Sequence, residues 1–453
     1  MNPQIFREYD IRGLVGTDVT EEVAELIGKG LGTLLAREQK NQVSVARDVR
    51  LSSPAMRDAL IKGLLSTGMH VRDLGAVPTP VSYFSLFHYD LDGGVMITGS
   101  HNPPEYNGFK VEVGKTTIHG QQIQDFRTLI ESGDFVTGEG TLEEVDILTP
   151  YTEMMLTKFT PARGLKMVVD GGNGVAGVVT PQLMRKMNCE VTELFCEPDG
   201  NFPNHHPDPT VDANMTALKE LVVEQGFELG VGYDGDADRI GVVDDTGRLV
   251  RGDQLVAIFA RALLESVPGA AVLFDVKCSR GLEEDIAAHG GKPFMWKTGH
   301  SLLKNKMKEE KALLAGEMSG HIFFGHNYYG YDDAAYATCW LVDILSRTDK
   351  KLSEIVDTLP QYHSTPEIRV DTTEEAKWGI VEQMTAWYKA RYDVIDIDGV
   401  RVNFPDGWGL VRASNTQPAL VMRFEATSEE ALKAIGDDMS GKMKELGCTV
   451  NLP

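Results

Sequence analysis

Three segments of this chain repeat one plan: an apolar strand ends in aspartate, a loop of small or basic residues follows, and a helical pattern comes next. The strands cover residues 43–48, 167–170 and 272–275. They lie roughly a hundred residues apart, and this spacing predicts three α/β units of similar plan. Coincidence is the alternative interpretation, because a strand that ends in aspartate is common in α/β proteins.

The length of 453 residues exceeds what one hydrophobic core holds and predicts roughly three or four domains. Helical patterns cover residues 21–38, 53–60 and 253–265. The second pattern begins with Ser53 as the expected N-cap and Pro54 at the first helical position. The tail after Glu367 alternates strand and helix patterns and ends with a helix over residues 428–446, which indicates a small α+β domain. Polar breaks near 141–150, 244–252 and 361–366 are candidate boundaries.

The net charge of the chain limits the classes of partner that it is expected to bind. The formal net charge of −23 argues against a general nucleic-acid surface or an anionic-membrane surface, although local Arg and Lys clusters can still bind a small anion. The five cysteines are scattered and unpaired in pattern, which predicts reduced thiols in a cytoplasmic protein. The first residues lack the apolar core of a signal peptide, and no apolar run is long enough to span a bilayer.

The motif TGSHNPP at residues 98–104 places one serine in a rigid polar turn. Residues 94–97 form a predicted buried strand, so Ser100 is expected on the loop at the end of that strand. Loops at strand ends carry much of the chemistry of α/β sheets. An ordinary Ser/Asn/Pro turn is the alternative interpretation of this motif.

The motif DGDADR at residues 234–239 carries three carboxylates directly after an apolar strand. Alternate residues of an extended segment point the same way, so Asp234, Asp236 and Asp238 are expected to converge. Clustered carboxylate oxygens favour a hard cation, Mg²⁺ or Ca²⁺. A calcium EF-hand does not fit, because Arg239 stands where that loop needs glycine and Asp245 where it prefers glutamate. An acidic surface loop is the remaining alternative.

Two further polar loops suit a phosphorylated sugar. In AGEMSGH, residues 315–321, Glu317, Ser319 and His321 offer alternating donors and acceptors to sugar hydroxyls. In RASNTQP, residues 412–418, charged and neutral donors could bind a phosphate, and Arg423 follows them. For each loop taken alone, a solvated polar turn is the alternative interpretation.

In this order, TGSHNPP, DGDADR, GEMSGH and RASNTQP resemble the α-D-phosphohexomutases, and in particular their bacterial phosphomannomutase/phosphoglucomutase branch. YDIRG near the start, KTGH at residues 297–300 and GNFPNHHPDP at residues 200–209 fit the same pattern. The resemblance implies an α/β fold of four domains around a central cleft, three similar α/β domains with mixed sheets and a smaller α+β C-terminal domain. The predicted domains are 1–145 with the phosphoserine loop, 146–248 with the metal loop, 249–362 with the sugar-binding loop and 363–453 with the phosphate-binding loop.

The resemblance also implies roles for single residues. Ser100 would be the phosphoserine and would hold Mg²⁺ together with Asp234, Asp236 and Asp238. The other residues expected to take part in catalysis are His101, Lys110, Arg239, Lys277 and His300. The residues expected to bind substrate are Tyr9, Arg12, Glu317, Met318, Ser319, Gly320, His321, Arg412, Ser414, Asn415, Thr416 and Arg423. Phosphorylated Ser100 would pass its phosphoryl group to O6 of a hexose 1-phosphate, and the resulting hexose 1,6-bisphosphate would return its C1 phosphoryl group.

Three positions bear on how closely the chain follows this pattern. Ala237 and Ala46 stand where many relatives have glycine, and neither change is expected to matter, because neither side chain is a ligand. Relatives that act on glucosamine phosphate typically carry Gln at the position of Met318, so this chain points to mannose or glucose phosphates.

Other functions stay open at this point. They are phosphoglucosamine mutase, a sugar phosphatase with Asp234 as nucleophile, and a non-enzymatic acidic calcium-binding protein. For the phosphatase, Asp238 stands where Thr or Val is usual. The partners expected are sugar phosphates, with no nucleic acid or membrane, and the protein is expected to be a monomer or a small homo-oligomer.

Overall fold

The computed structural model describes residues 1–415 and 417–452. These residues divide into two compact units. The first unit consists of Met1–Leu255 and Ser319–Val356, and the second consists of Val256–Met318 and the chain from Asp357 onward. All five cysteines are buried free thiols. None of the helices in the described residues combines the length and the apolar character that crossing a bilayer requires.

The first 145 residues form a seven-stranded sheet with helices. Its strand order is β1-β5-β4-β2-β3-β7, with β6 paired to β5. The elements are β1 Ile11–Leu14, α1 Glu21–Arg37, β2 Gln42–Arg47, α2 Ser53–Leu65, β3 His70–Ala76, α3 Thr79–His88, β4 Gly93–Ile97, β5 Tyr106–Val113, β6 Thr116–Thr117, α4 Gln121–Ser132 and β7 Thr141–Glu144. Helix α1 begins where Oγ1 of Thr20 accepts the N–H of Val23. On its inner face, Ile27 and Leu31 are fully buried in the core.

The next hundred residues of the first unit form a five-stranded sheet in the order β12-β11-β10-β8-β9. The elements are α5 Leu148–Lys158, β8 Lys166–Asp170, α6 Thr180–Lys186, β9 Glu190–Leu194, α7 Thr216–Gln225, β10 Leu229–Tyr233, β11 Ile240–Asp244 and β12 Leu249–Val250. Strand β10 is buried at every residue, and it pairs in parallel with β8 and antiparallel with β11. The loop between β10 and β11 therefore starts and ends in the centre of the sheet.

The elements that follow contribute to both units. They are α8 Gly252–Ser266, β13 Ala271–Asp275, α9 Arg280–Ala288, β14 Lys292–Trp296, α10 His300–Glu310, β15 Leu314–Gly316, β16 Ile322–Phe324, α11 Ala334–Ser346 and α12 Leu352–Val356. In the second unit, β13 pairs in parallel with both β14 and β15. Strand β16 and helices α11 and α12 belong to the first unit.

The remaining residues form an antiparallel sheet with two longer helices. Its order is β17-β22-β21-β20-β19, and β18 also pairs with β22. The elements are β17 His363–Ser364, β18 Ile368–Asp371, α13 Ala376–Lys389, β19 Asp393–Ile395, β20 Val400–Phe404, β21 Gly407–Ala413, β22 Ala419–Ala426 and α14 Glu429–Glu445. Helix α14 begins after the N-cap Ser428 and ends before Leu446, as the sequence predicts. The expected smaller α+β domain at the C-terminus is confirmed.

The predicted repeat is present as three sets of parallel strands with the same order. Strand β2 lies between β3 and β4, β8 lies between β9 and β10, and β13 lies between β14 and β15. Asp48 follows β2 directly, whereas Asp170 and Asp275 are the last residues of β8 and β13. The three α/β units of similar plan are thus confirmed.

The expected N-cap of α2 is wrong by one residue. Ser52 is the N-cap, and Ser53 is the first helical residue. The Ser53 hydroxyl donates instead to Oδ1 of Asp48 over 2.6 Å, so it serves the loop after β2 and does not cap the helix. The buried Asp48 carboxylate is a strong acceptor, because hydrogen bonds to a charged group are stronger than those to a neutral one.

Candidate active site

Ser100 lies in the loop after β4 in a backbone conformation that is rare for a residue with a side chain. Its φ is +49°, in the left-handed region, and it is buried. Its N–H donates to Oγ1 of Thr98 over 2.7 Å, and its hydroxyl donates to Oδ2 of Asp234 over 3.0 Å. Nδ1 of His101 also lies 3.0 Å from this hydroxyl. The serine oxygen is therefore aimed at the carboxylate loop that the sequence singled out.

The carboxylate loop between β10 and β11 is not extended, so that part of the expectation is wrong. Ala237 has a φ of +58°, and its N–H donates to the carbonyl of Asp234 over 3.1 Å, which closes a tight turn. Oδ1 of Asp234 accepts the N–H groups of Asp238 and Arg239 over 3.1 and 3.0 Å. The turn still brings the three carboxylates together, with ligand atoms within 4.8 Å of one another.

The charges of this cluster are set by burial and by one lysine. Nζ of Lys110 donates to Oδ2 of Asp236 over 2.8 Å and to Oδ2 of Asp238. Burial disfavours the ammonium, but these two carboxylates outweigh it and raise the pKa of Lys110 well above its usual range. Burial, followed by the neighbouring carboxylates, raises the pKa of Asp234. Burial opposes ionisation of Asp238 as well, yet Lys110 and His321 hold its pKa well below the usual range.

The three carboxylates fit a divalent cation. Oδ1 of Asp236 is buried and has no hydrogen-bond partner within residues 1–415 and 417–452. A buried carboxylate oxygen without a donor is costly unless it gains one or binds a cation. Asp234, Asp236 and Asp238 are each fully buried and supply only oxygen atoms, which is the donor set that Mg²⁺ prefers.

Basic side chains of the first unit surround the serine and the carboxylates. Nε2 of His321 lies 3.3 Å from Nε of Arg239 and 3.1 Å from Oδ1 of Asp238. Burial, then the positive charges of Arg239 and Arg12, hold the pKa of His101 well below its usual range, so its imidazole is neutral.

The YDIRG segment adds a further basic group to the first unit. Arg12 donates from Nη1 to the side chain of Asn102 in the serine loop over 2.5 Å and pairs with Asp10. Tyr9, from the same segment, is buried. Ser319 and Gly320 also belong to the first unit, and Nδ1 of His321 lies 3.4 Å from the Ser319 hydroxyl.

The second unit holds a separate set of the predicted residues. Nζ of Lys277 lies 3.2 Å from Oε2 of Glu367 and 3.8 Å from Oδ2 of Asp275. The N–H of Gly299 donates to Oε1 of Glu317 over 2.5 Å, which ties the KTGH loop to the GEMSGH loop. His300 is the first residue of α10 and is buried, and the N–H of Met318 donates to Oδ1 of Asp275 over 3.4 Å.

The loop after β21 belongs to the same unit. Nε of Arg412 donates to Oδ2 of Asp398 over 3.0 Å. Oγ of Ser414 accepts the N–H of Gln417 over 3.2 Å, and Asn415 is half-buried. Thr416 lies outside the described residues. Arg423, on β22, donates to the backbone carbonyl of Lys277, a contact that the sequence did not indicate.

Sequence reasoning missed several residues that support these loops. Oδ2 of Asp398 accepts hydrogen bonds from Nε of Arg412 and from the N–H of Thr298. Lys377 donates to the carbonyl of Ser414 over 2.7 Å. Arg50 donates to the backbone of the serine loop, and the only signal for it was its place after the first strand of the repeat.

Four family models match the chain in succession. They are described as phosphoglucomutase/phosphomannomutase α/β/α domain I at residues 3–136, domain II at 149–247, domain III at 251–362 and the C-terminal domain at 367–442. The chain is 46% identical to a phosphomannomutase/phosphoglucomutase of Pseudomonas aeruginosa, over 99% of this chain and 97% of that one. It is 43% identical to a phosphoglucomutase of Neisseria gonorrhoeae, over 95% of each chain.

A solved structure gives the same result for the fold. The chain is similar to a phosphoglucomutase/phosphomannomutase family protein of Burkholderia thailandensis with a TM-score of 0.94. The two are 42% identical, and the similarity covers 100% of both chains.

Proposed function

The chain belongs to the phosphoglucomutase/phosphomannomutase family, and on that premise we propose that it interconverts hexose 1-phosphates and hexose 6-phosphates of mannose, of glucose or of both. It is an enzyme of the isomerase class, an intramolecular phosphotransferase. The observation that carries the proposal is the buried Ser100 hydroxyl, which lies 3.0 Å from Asp234 in a cluster of three buried carboxylates. A serine beside such a cluster suits phosphoryl transfer, because a cation held by the carboxylates would neutralise the negative charge of the transferring group.

We propose that Ser100 carries the phosphoryl group between turnovers. In the first transfer, the bond between phosphorus and Oγ of Ser100 breaks and a bond to O6 of a hexose 1-phosphate forms, while the O6 proton leaves to a base. The product is a hexose 1,6-bisphosphate. Oγ of Ser100 takes up a proton when the first transfer releases it. In the second transfer, the bond between phosphorus and O1 breaks and a bond to Oγ forms; Oγ gives up its proton, O1 takes up one, and the sugar leaves as hexose 6-phosphate. The enzyme ends the cycle phosphorylated, as it began.

Asp234, Asp236 and Asp238, with an oxygen of the Ser100 phosphate, are the residues that would hold Mg²⁺. The cation supplies neutralisation of negative charge on the transferring group, which is the main need in phosphoryl transfer. Lys110 and Arg239, whose side chains contact Asp238 or His321, are proposed to stabilise the same charge. The neutral imidazole of His101 can accept or orient the proton of the Ser100 hydroxyl.

The remaining predicted residues are proposed to bind the sugar phosphate. Glu317, Ser319 and His321 supply acceptors and donors for sugar hydroxyls, and Met318 and Gly320 shape the same loop. The phosphate that does not react is assigned to Arg412, Ser414, Asn415, Thr416 and Arg423, with Tyr9 and Arg12 as further substrate contacts. Lys277 and His300 are the proposed proton-transfer groups, and the raised pKa of Lys277 favours a role as acid.

The proposal extends to five finer points. We propose Met318 as one determinant of preference for mannose and glucose over glucosamine phosphates. We propose hexose 1,6-bisphosphate as activator, a cytoplasmic location and a monomer or small homo-oligomer. The proposed domain boundaries follow residues 145, 248 and 362.

Phosphorus NMR of the purified protein tests the function directly. Mannose 1-phosphate and glucose 1-phosphate are supplied in separate tubes, with Mg²⁺ and a trace of hexose 1,6-bisphosphate. Appearance of the 6-phosphate in one or both tubes identifies the substrate. Release of inorganic phosphate would support a phosphatase with Asp234 as nucleophile instead.

The variant Ser100→Ala separates the two chemistries. It is expected to abolish conversion, because it removes the hydroxyl that is proposed to carry the phosphoryl group. A phosphatase that uses Asp234 would keep its activity in the same variant. If the wild-type protein gives no change in either tube, the amino-sugar phosphates, or calcium binding without catalysis, become the leading alternatives.

A further inference from the structure

Arg50 is a fully buried arginine that uses every one of its donors beneath the serine loop. Its Nη2 donates to the carbonyls of Ser100 over 2.9 Å and Asn102 over 2.6 Å. Its Nη1 donates to the carbonyls of Pro103 over 2.6 Å and Tyr106 over 2.9 Å. Its Nε donates to Oδ2 of Asp48 over 3.1 Å. A guanidinium has five N–H donors, so none is left over for a ligand.

Asp48 anchors this guanidinium to the end of β2. One carboxylate oxygen accepts Nε of Arg50 and the N–H of Gly99, and the other accepts the N–H of Arg50 and the Ser53 hydroxyl. The ion pair therefore links the first strand of the repeat to the loop that carries Ser100. Burying a charge is costly unless it is paired and fully hydrogen-bonded, and here both conditions are met.

The residues around Arg50 allow close packing against its guanidinium. A Cβ at Gly99 would lie 2.5 Å from Cζ and Nε of Arg50, so only glycine allows the guanidinium to pack against this peptide. On another side, the guanidinium lies 5.3 Å from the ring centroid of Phe202, in the GNFPNHHPDP segment. The packing against Arg50 explains why a glycine precedes the serine. It also gives a role to Phe202, in a segment to which no role had been assigned.

We propose that Arg50 is a positioning residue that holds Ser100 in its left-handed conformation and so fixes the direction of its hydroxyl. The inference rests on the proposed function, since it assigns a purpose to the geometry of the phosphoryl-carrying serine. The left-handed backbone of a residue with a side chain is strained and persists only where its surroundings impose it. Arg50 imposes it by fixing the carbonyls of Ser100 and of three residues that follow.

Lysine cannot replace this arginine. Its ammonium is a compact charge with three donors, whereas the planar guanidinium reaches four carbonyls and a carboxylate at once. Arg50→Lys keeps the positive charge beside Asp48 but leaves part of the loop without donors. If Arg50 acts through its charge alone, Arg50→Lys should keep the activity. If Arg50 positions the loop, Arg50→Lys should lose it.

The experiment compares Arg50→Lys and Arg50→Met with Arg57→Met as a matched control. Arg57 is an arginine of α2 that pairs with Asp73 and Asp58, away from the serine loop. In both Arg50 variants we expect kcat for the mutase reaction to fall by about 100-fold, with KM for the sugar phosphate within about threefold of wild type. The control is expected to keep the wild-type kcat. Hydrogen–deuterium exchange of residues 98–106 is expected to increase only in the Arg50 variants.

The possible outcomes each decide the inference. A kcat within about threefold of wild type in either Arg50 variant overturns it, and so does unchanged exchange in residues 98–106. A wild-type protein without mutase activity defeats the proposed function, and the exchange experiment then still decides whether Arg50 orders the serine loop. If Arg50→Met does not fold, Gly99→Ala decides, because it keeps Arg50 but drives a methyl group into the guanidinium. The same loss of kcat is expected there, and an unchanged kcat contradicts the inference.

Discussion

The ammonium group of Lys277 lies 3.2 Å from Oε2 of Glu367. Burial disfavours the charged lysine, but Glu367 and then Asp275 outweigh it and raise the pKa of Lys277. In return, Lys277 is the main cause that lowers the pKa of Glu367 to about 2. Near neutral pH, Glu367 is therefore ionised and Lys277 is protonated.

We expect Glu367→Gln to lower the pKa of Lys277, because a neutral amide no longer stabilises the ammonium. If Lys277 acts in its protonated form, the alkaline limb of the kcat/KM profile moves to lower pH. The profile is measured between about pH 7 and 11, with Glu374→Gln as control. Glu374 pairs with Lys377 and is exposed, so its variant is expected to leave the limb in place. An alkaline limb that does not move in Glu367→Gln would remove Lys277 from the proton-transfer step.

A second prediction concerns the cation. Asp236→Asn removes a negative charge from the cluster and is expected to weaken Mg²⁺ binding by at least about tenfold, with a matching loss of turnover. Titration calorimetry gives the affinity independently of activity. Asp212→Asn is the control, because Asp212 forms a surface ion pair with Arg251 and is mostly exposed. Unchanged Mg²⁺ affinity in Asp236→Asn would refute the metal assignment.

A third prediction separates binding from chemistry at Arg412. Its guanidinium is oriented by Asp398 and is proposed to bind the phosphate that does not react. Arg412→Ala should raise KM by about tenfold or more while kcat stays within about threefold, because a contact made equally in the ground and transition states affects binding only. Steady-state kinetics with the variant Arg391→Ala, an exposed arginine stacked on Trp387, provide the comparison. A fall in kcat at constant KM would place Arg412 in the chemical step.

A fourth prediction concerns stability and pH at Asp333, the N-cap of α11. Burial raises the pKa of Asp333 to about 6, against the hydrogen bonds from Tyr328, the N–H of Tyr336 and Tyr151. A carboxyl group whose pKa is raised on folding binds its proton more tightly in the folded protein. Its contribution to stability is therefore fully present below the pKa that the group has in the unfolded chain. That stability is lost as the pH rises through the folded pKa. Asp333 therefore makes this region less stable at pH 7 than at pH 4.

Asp333→Asn removes this dependence, because the amide stays neutral. When the pH rises from about 4 to about 7, the free energy of opening α11 should fall more in the wild type than in the variant. The difference should be on the order of 2 kcal/mol. Native-state hydrogen exchange of α11 amides measures it. Asp343→Asn, on the same helix and paired with Arg347, is the control and should follow the wild-type pH dependence. Parallel pH curves for Asp333→Asn and wild type would show that the folded pKa is not raised.

The sequence predicted features whose signal is local. The segments 43–48, 167–170 and 272–275 coincide with β2, β8 and β13, the central strands of the three parallel sets, with Asp48 just beyond the end of β2. They could be predicted because an apolar run followed by an aspartate marks the end of its own strand. The helix over residues 428–446 was foreseen for the same reason, since its N-cap and its apolar period lie within one segment. The convergence of Asp234, Asp236 and Asp238 was also expected, although the backbone that achieves it was not.

Features that depend on distant partners could not be read in this way. The left-handed φ of Ala237 is imposed within a turn that places two N–H groups on Asp234, and an alternating pattern of aspartates does not reveal it. Ser53 misled the prediction although its partner Asp48 is only five residues away, because the sequence does not show whether a serine hydroxyl caps a helix or donates to a nearby carboxylate. Arg50 belongs to no recognisable motif. The carbonyls of Asn102 and Pro103, to which it donates, lie more than fifty residues further along the chain.

The contact between Ser100 and Asp234 spans 134 residues of sequence. During synthesis, the ribosome therefore releases the serine loop long before the aspartate that faces it, by on the order of ten seconds at ordinary elongation rates. A Cβ at Gly235 would lie 2.5 Å from the carbonyl of Ser100, so the later loop must slot directly against the earlier one. A nascent chain that stalls before Asp234 would therefore hold the proposed nucleophile without the carboxylate that it contacts in the folded protein.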